Sequence, residues 1–402
     1  MTDTPAATLL VANAMLADGG GPVDIVAAGP TIVEVRPHGG PGEPGGGAGA
    51  GRLLDAGGRT VIPGLIDVHV HGGGGADVMD ATPEAVATVG RSLARQGTTA
   101  YLGTTFLRPT LADRHLSVLG EAAAGDGPVA GGARLLGIHL EGPFVSHLRR
   151  GGILADAIAP ASHQELDRVL DLTAGALRMM TIAPELDGAI PLVERLTRDG
   201  VVASFGHSDA DYDQTRAGIA AGIRHATHLY NAMRGLHHRD PGPLLALHEA
   251  DELTVQLISD GVHVDGRVVR WTRDVFGHSR CVCVTDGIRT TGLPDGEYTL
   301  GGLAYSSHDG VARYGDGTLI GTSLPLLEVV RRFARYTGCS LAEAAQTASL
   351  HAARALGIQD RKGSIETGKD ADLVVLDGDG AVGAAVVEGN VVYVNQYSGS
   401  DP

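Results

Sequence analysis

Cysteine, long apolar runs and positive charge are all scarce in this 402-residue chain, and each shortage excludes something. The three cysteines, Cys281, Cys283 and Cys339, supply no disulfide framework. Cys281 and Cys283 alternate along an expected strand, so both point to one face, where core packing is their expected role. No run of residues is long and apolar enough for a transmembrane helix, and MTDTPAATLLVANAML lacks a charged region followed by a long apolar one. A reduced, cytoplasmic setting without membrane attachment is expected. Lysine and arginine number 31 against 47 acidic residues, for a formal charge of −16. That balance argues against a nucleic-acid partner. It does not exclude an anionic small molecule, because local charge decides that.

What is present is enough for a large core. The hydrophobic share of 43% suits a globular protein, and the length suits a barrel plus a smaller partner. Between residues 6 and 36, TLLVANAML, VDIVAAG and TIVEVRP read as strands of a small β unit. The run GGPGEPGGGAGAG, 39–51, is too rich in glycine and proline to pack and reads as a mobile loop. From residue 61, apolar strand-like runs alternate with amphipathic helical stretches. PEAVATVGRSLARQG precedes TTAYLGTTF, HQELDRVLDLTAG precedes ALRMMTIAPE, and PLVERLTRDG precedes VVASFGH. This alternation predicts α/β units, a parallel sheet and a (β/α)8 TIM-type barrel over 61–358. SLAEAAQTASLHAARALG reads as one helix near its end. Residues 359–402 return to strand patterning and are expected to join residues 1–60 in one small β-sandwich domain.

Chemistry-bearing side chains sit at the ends of these runs. His69 and His71 follow VIPGLID, two apart on a strand, so both imidazoles face one way. Glu141 ends LLGIHLE, His207 ends VVASFGH and His228 ends GIRHATH. In a parallel barrel the strand ends converge on one face, so these residues can build one site. A carboxylate there needs a partner or a metal. Neutral imidazoles are donors that zinc or a similar divalent cation accepts. Asp286, ending CVCVTD, is the candidate proton shuttle beside metal-activated water. His139 points the same way as Glu141 and is expected to support the site rather than bind metal. Arg239 suits bidentate phosphate recognition, with Asn231 and His263 as further donors. Gly142 and His147, beside Glu141, are candidates on the substrate side. His237 and His238 are expected to be structural or interfacial.

These segments resemble the amidohydrolase superfamily, and within it the N-acetylglucosamine-6-phosphate deacetylase family. The likeness runs through PGLIDVHVHGGGG, HLEGPF, FGHSDA, ATHLYNAM, LHHRDPG, SDGVHVD and VTDG, and GSIETGKDADLVVLD matches a C-terminal signature of the superfamily. The resemblance implies a main divalent cation on Glu141, His207 and His228, and a second on His69 and His71 in a two-metal site. Zinc is the expected ion, one or two per subunit. It implies Asp286 as base and then acid, phosphosugar contacts from Asn231, the backbone of Ala232 and His263, and a phosphate contact from Arg239 of a neighbouring subunit in a homodimer. The expected substrate is a phosphorylated N-acetyl amino sugar. The only lysines are Lys362 and Lys369, so a carbamylated mid-barrel lysine bridging two metals is excluded.

The pattern departs from the family around the acyl group. A carbonyl-polarising histidine is expected shortly after HLEGP, yet the stretch Arg149–Ile153 places Ile153 there. Losing such a donor costs roughly 3–4 kcal/mol of transition-state stabilisation, and His147 is the nearest replacement. TDGIRT and IGTS also differ from the family's usual stretches. These changes keep open a different N-acyl sugar substrate, or a non-catalytic sugar-binding relative.

Overall fold

The computed structural model describes residues 9–39, 51–125, 127, 131–300 and 303–395. The glycine-rich run, apart from Gly39 and Gly51, lies outside them. Eight strands pair in parallel and in chain order: Leu65–Val70, Thr98–Thr105, Arg134–Glu141, Leu177–Ile182, Val202–Phe205, His225–Ala226, Thr254–Leu257 and Cys281–Cys283. Hydrogen bonds from Asp286 N to His69 O (2.9 Å) and from His71 N to Gly287 O (2.7 Å) bring the two sheet edges together and close the barrel. Nearly every strand position is buried, as expected where helices cover a parallel sheet. One cluster joins Val86, Leu93, Leu119 and Leu166 of the helices to Tyr101, Leu135, Ile182 and Phe205 of the strands. The helices start where side-chain caps allow. Thr82 accepts from Ala85 N ahead of Pro83–Arg95, and Ser162 accepts from Glu165 N ahead of His163–Thr173.

Both chain ends build a second sheet. Its strands run in the order Asn390–Val394, Val382–Val387, Leu373–Leu376, Thr60–Pro63, Leu9–Leu16, Val23–Ala28 and Thr31–Pro37, with Arg52–Asp55 also pairing with Leu9–Leu16. Leu9, Val11, Ile25, Ile32, Val61, Leu373, Val375 and Val386 form its core.

Two expectations need correction. The single helix over SLAEAAQTASLHAARALG is two helices, Leu341–Thr347 and Leu350–Ala355. At the break, Thr347 Oγ1 donates to Ala344 O and Ser349 Oγ to Ala345 O, while Ala348 O accepts from Ile66 N of the first barrel strand. Hydroxyls and a strand amide thus take carbonyls that helix amides would otherwise use. The second correction concerns the end of the barrel. After the eighth strand the chain builds a four-stranded antiparallel sheet, Gly296–Leu300, Leu303–His308, Val311–Tyr314 and Leu319–Thr322, before the helix Leu326–Thr337. The βα alternation alone did not foresee it.

Candidate metal centre and cavity

The strand ends bring six donor side chains together as two groups, His69 with His71 and Asp286, and Glu141 with His207 and His228. Their local backbone is unusual. His207, His228 and Asp286 have φ of 47°, 24° and 49°, the left-handed region that non-glycine residues avoid. Each turn follows directly on a barrel strand or its short extension. A costly conformation kept at three such positions marks a functional site.

The geometry calls for a cation. Glu141 Oε1 lies 2.9 Å from both His207 Nε2 and His228 Nε2, and these two nitrogens are 3.0 Å apart. His207 Nδ1 is 2.8 Å from Arg149 O, so a neutral ring donates there and turns the Nε2 lone pair toward the carboxylate. His69 is fully buried, and burial holds its pKa below the ordinary value, on the neutral side. Its Nδ1 donates to Gln256 Oε1 at 2.9 Å. Gln256 Oε1 also accepts from His228 N, which fixes that amide's orientation. His69 Nε2 therefore carries a lone pair and has no hydrogen-bond partner, though Asp286 Oδ1 is 3.4 Å away and Glu141 Oε1 3.6 Å. Lone pairs converging with carboxylates repel unless a proton or a metal ion sits between them. A divalent cation with imidazole and carboxylate donors fits this set, and the Nδ1 partners of His69 and His207 match the way metal-binding histidines are held.

Electrostatics agree with that reading. Burial pushes the carboxyls of Glu141 and Asp286 toward the neutral form, but the histidines around them outweigh it and hold both well below the usual range. Behind Asp286, Asp67 accepts from Thr285 Oγ1 at 2.5 Å and from His69 N at 3.2 Å. Burial lifts the Asp67 carboxyl to about 7. His139 bonds Val68 O and Thr181 Oγ1, and a chain of hydroxyls continues through Thr227 to Ser204. These buried polar groups satisfy one another beneath the site. His139 thus supports the cluster from below, as expected.

A cavity of about 360 Å³ opens over the cluster. His71, Glu141, His207, His228 and Asp286 line it, as do Asn231, Ala232 and His263. His263 is fixed by Asp260, with Nδ1 to Oδ2 at 2.6 Å. The other expected substrate-side residues lie elsewhere. Gly142 is buried behind Glu141, while His147 is exposed on a short 3-10 turn. Arg239 is exposed, with Nη1 2.8 Å from His238 Nε2, and is not among the lining residues. Ile153 lines the cavity, whereas His147 is not among the lining residues. Arg313, Tyr314 and Leu319 line it as well and were not anticipated, while Ile320, which also lines it, opens the IGTS stretch noted in the sequence. They come from the antiparallel insertion, whose hairpin pairs Asp309-Gly310 and Asp316-Gly317 were the signal available in the sequence.

The amidohydrolase family profile matches residues 60–395. The N-acetylglucosamine-6-phosphate deacetylase of Bacillus subtilis (strain 168) is 37% identical over 339 residues, 84% of this chain and 85% of that protein. The N-acetylgalactosamine-6-phosphate deacetylase of Escherichia coli O157:H7 is 36% identical over 321 residues, 79% of this chain and 84% of that protein. A solved mutant of the Mycobacterium smegmatis N-acetyl-D-glucosamine-6-phosphate deacetylase, in complex with N-acetyl-D-glucosamine-6-phosphate, superposes with a TM-score of 0.85 at 35% identity. That match covers 97% of this chain and 100% of the other. The chain belongs to the amidohydrolase family.

Proposed function

We propose that this amidohydrolase removes the acetyl group of N-acetylglucosamine-6-phosphate, giving glucosamine-6-phosphate and acetate. The observation that carries this reading is the meeting of two metal-binding groups, one of them including Asp286, at the floor of a cavity that Asn231, Ala232 and His263 also line. The deacetylase relatives support the substrate.

Glu141, His207 and His228 would hold the main divalent cation, and His69 and His71 a second. Zinc suits this donor set. A bound cation there supplies polarisation of the acyl carbonyl and eases deprotonation of water. Asp286 starts ionised, takes a proton from the attacking water and returns it to the amine nitrogen as the C–N bond breaks. Asn231 and His263 orient the sugar. The exposed loop carrying Arg239 would reach the phosphate of a neighbouring subunit, which makes the working unit a homodimer. The enzyme would act in the cytoplasm.

The test is acetate release from N-acetylglucosamine-6-phosphate by zinc-reconstituted protein, beside chelated protein and a metal-loaded Asp286→Asn variant. The reconstituted enzyme should turn over and the chelated one should not. The variant should lose roughly 10²–10⁴ in kcat, the usual contribution of a positioned acid–base group. A metal-loaded wild type that releases no acetate rules out this substrate.

A second reading keeps the chemistry and changes the sugar. Ile153, Ile288 and Ile320 all line the cavity, and a relative of nearly equal identity is named for the galactosamine epimer. Parallel assays on both epimers separate the two.

A further inference from the structure

We propose that Arg313, from the antiparallel insertion of the same chain, anchors the anionic group of the substrate. The inference rests on the functional reading above, in which that group is a phosphate monoester. Among the described residues, Arg313 is the only lysine or arginine that lines the cavity. It is half-buried, and the one side-chain hydrogen bond it makes among the described residues runs from Nη1 to Gly317 O at 3.2 Å, which leaves most of the guanidinium fork for a ligand. It forms no ion pair with a carboxylate among the described residues.

Its surroundings repeat the pattern. Tyr314, next in sequence, lines the same cavity, and the charges of Arg108 and Arg150 both reach its hydroxyl. Neither arginine is ion-paired among the described residues. Arg150 Nη1 donates to Ile153 O, while Arg108 Nε is buried without a partner. Asp316, on the hairpin turn, is the carboxylate that Arg150 also influences. Arg313 thus stands without a carboxylate ion pair among the described residues on the cavity wall of a chain of net charge −16. A guanidinium without a matched carboxylate is free to form charge-assisted hydrogen bonds with a substrate anion.

The insertion also fixes the distance from anchor to chemistry. Arg313 pairs with Leu319 in the neighbouring strand, and that strand docks on the proton shuttle through Thr322 N to Asp286 O at 2.9 Å. Anchor and base are therefore held by one backbone network, as positioning of a substrate requires.

The experiment compares kcat/KM for N-acetylglucosamine-6-phosphate and N-acetylglucosamine in wild type, Arg313→Ala, Arg313→Lys and Arg239→Ala, with metal content and circular dichroism checked for each. Wild type should prefer the phosphorylated sugar. Arg313→Ala should shrink that preference roughly ten-fold or more through KM, the scale of a charge-assisted contact, and Arg313→Lys should restore part of it. An Arg313→Ala enzyme with the full wild-type preference overturns the proposal, and leaves the functional reading intact. If wild type turns over neither sugar, the functional reading fails instead. Calorimetric binding of glucosamine-6-phosphate against glucosamine then decides Arg313, because equal affinities in wild type and Arg313→Ala refute it and a ten-fold weaker phosphosugar supports it.

Discussion

His71 and His207 show what the cluster does without a cation. Burial opposes charging either ring, yet the Asp286 carboxylate lifts His71 to about 9 and Glu141 raises His207 above its ordinary value. At neutral pH the His71 ring therefore holds a proton where a metal would sit, and metal binding must displace it. Raising the pH from neutrality past 9 removes this proton, so metal affinity should climb across that window and flatten above it. Calorimetry in buffers of different ionisation enthalpy should find protons released on binding. Affinity that does not vary with pH, with no proton released, contradicts this. At this scale the sequence located the side chains that cluster at the strand ends, but not Arg313, Tyr314 and Leu319 on the cavity wall. The period of two put His69 and His71 on one face, and each remaining donor closed an apolar run. Arg239 carried no such positional constraint, and its loop ends outside the cavity of its own chain.

Among the elements, the antiparallel insertion bears most on the proposed site, because it lines part of the cavity and hydrogen-bonds Asp286 through Thr322 N. Gly321 makes the close approach possible. Its φ is +135°, and a Cβ there would lie 2.4 Å from Asp286 O and 2.9 Å from Ile288 Cγ2. Gly321→Ala should cost about 1–3 kcal/mol through the strained backbone, and should also lower kcat by displacing Asp286. As a control, Gly175→Ala, at φ +82° with nothing within 4 Å of its Cβ, should cost about 1–2 kcal/mol and spare kcat. Thermal unfolding and steady-state kinetics on the two variants check this, and an active, equally stable Gly321→Ala would refute the docking argument. The insertion was hard to read because its strands are short and its turns are spaced like ordinary loops. The long amphipathic helices were easier. Pro83–Arg95, His163–Thr173 and Ala189–Arg198 fall where apolar spacing placed them. The helix break at Ala348 depends on an amide from the first barrel strand, a contact invisible to local sequence.

At the level of the whole molecule, a buried ammonium group gathers three carboxylates from the C-terminal part of the chain. Lys362 Nζ lies 2.8 Å from Asp370, 2.7 Å from Asp372 and 3.2 Å from Glu388, and only 3% of its side chain is exposed. Burial opposes its charge, but the acidic neighbours raise its pKa well above the ordinary lysine range. Removing one partner of such a group strands the others. Lys362→Met should destabilise the fold by about 3–5 kcal/mol without changing metal content in the folded fraction, as urea unfolding and elemental analysis would show. A variant as stable as wild type contradicts it. The barrel itself was legible because alternating patterns recur over a long span, and GSIETGKDADLVVLD signalled that the chain returns to strand. The partners of Lys362 could not be read, since three carboxylates within reach of one amine is a tertiary fact.

The central claim is that side chains from distant strand ends meet around a divalent cation. Elemental analysis of zinc-reloaded wild type beside a folded Glu141→Ala variant tests it most directly. The account predicts one or two tightly held metal ions per wild-type chain and loss of the main one in the variant. Wild type that never retains metal, or a variant that keeps its full complement, contradicts it.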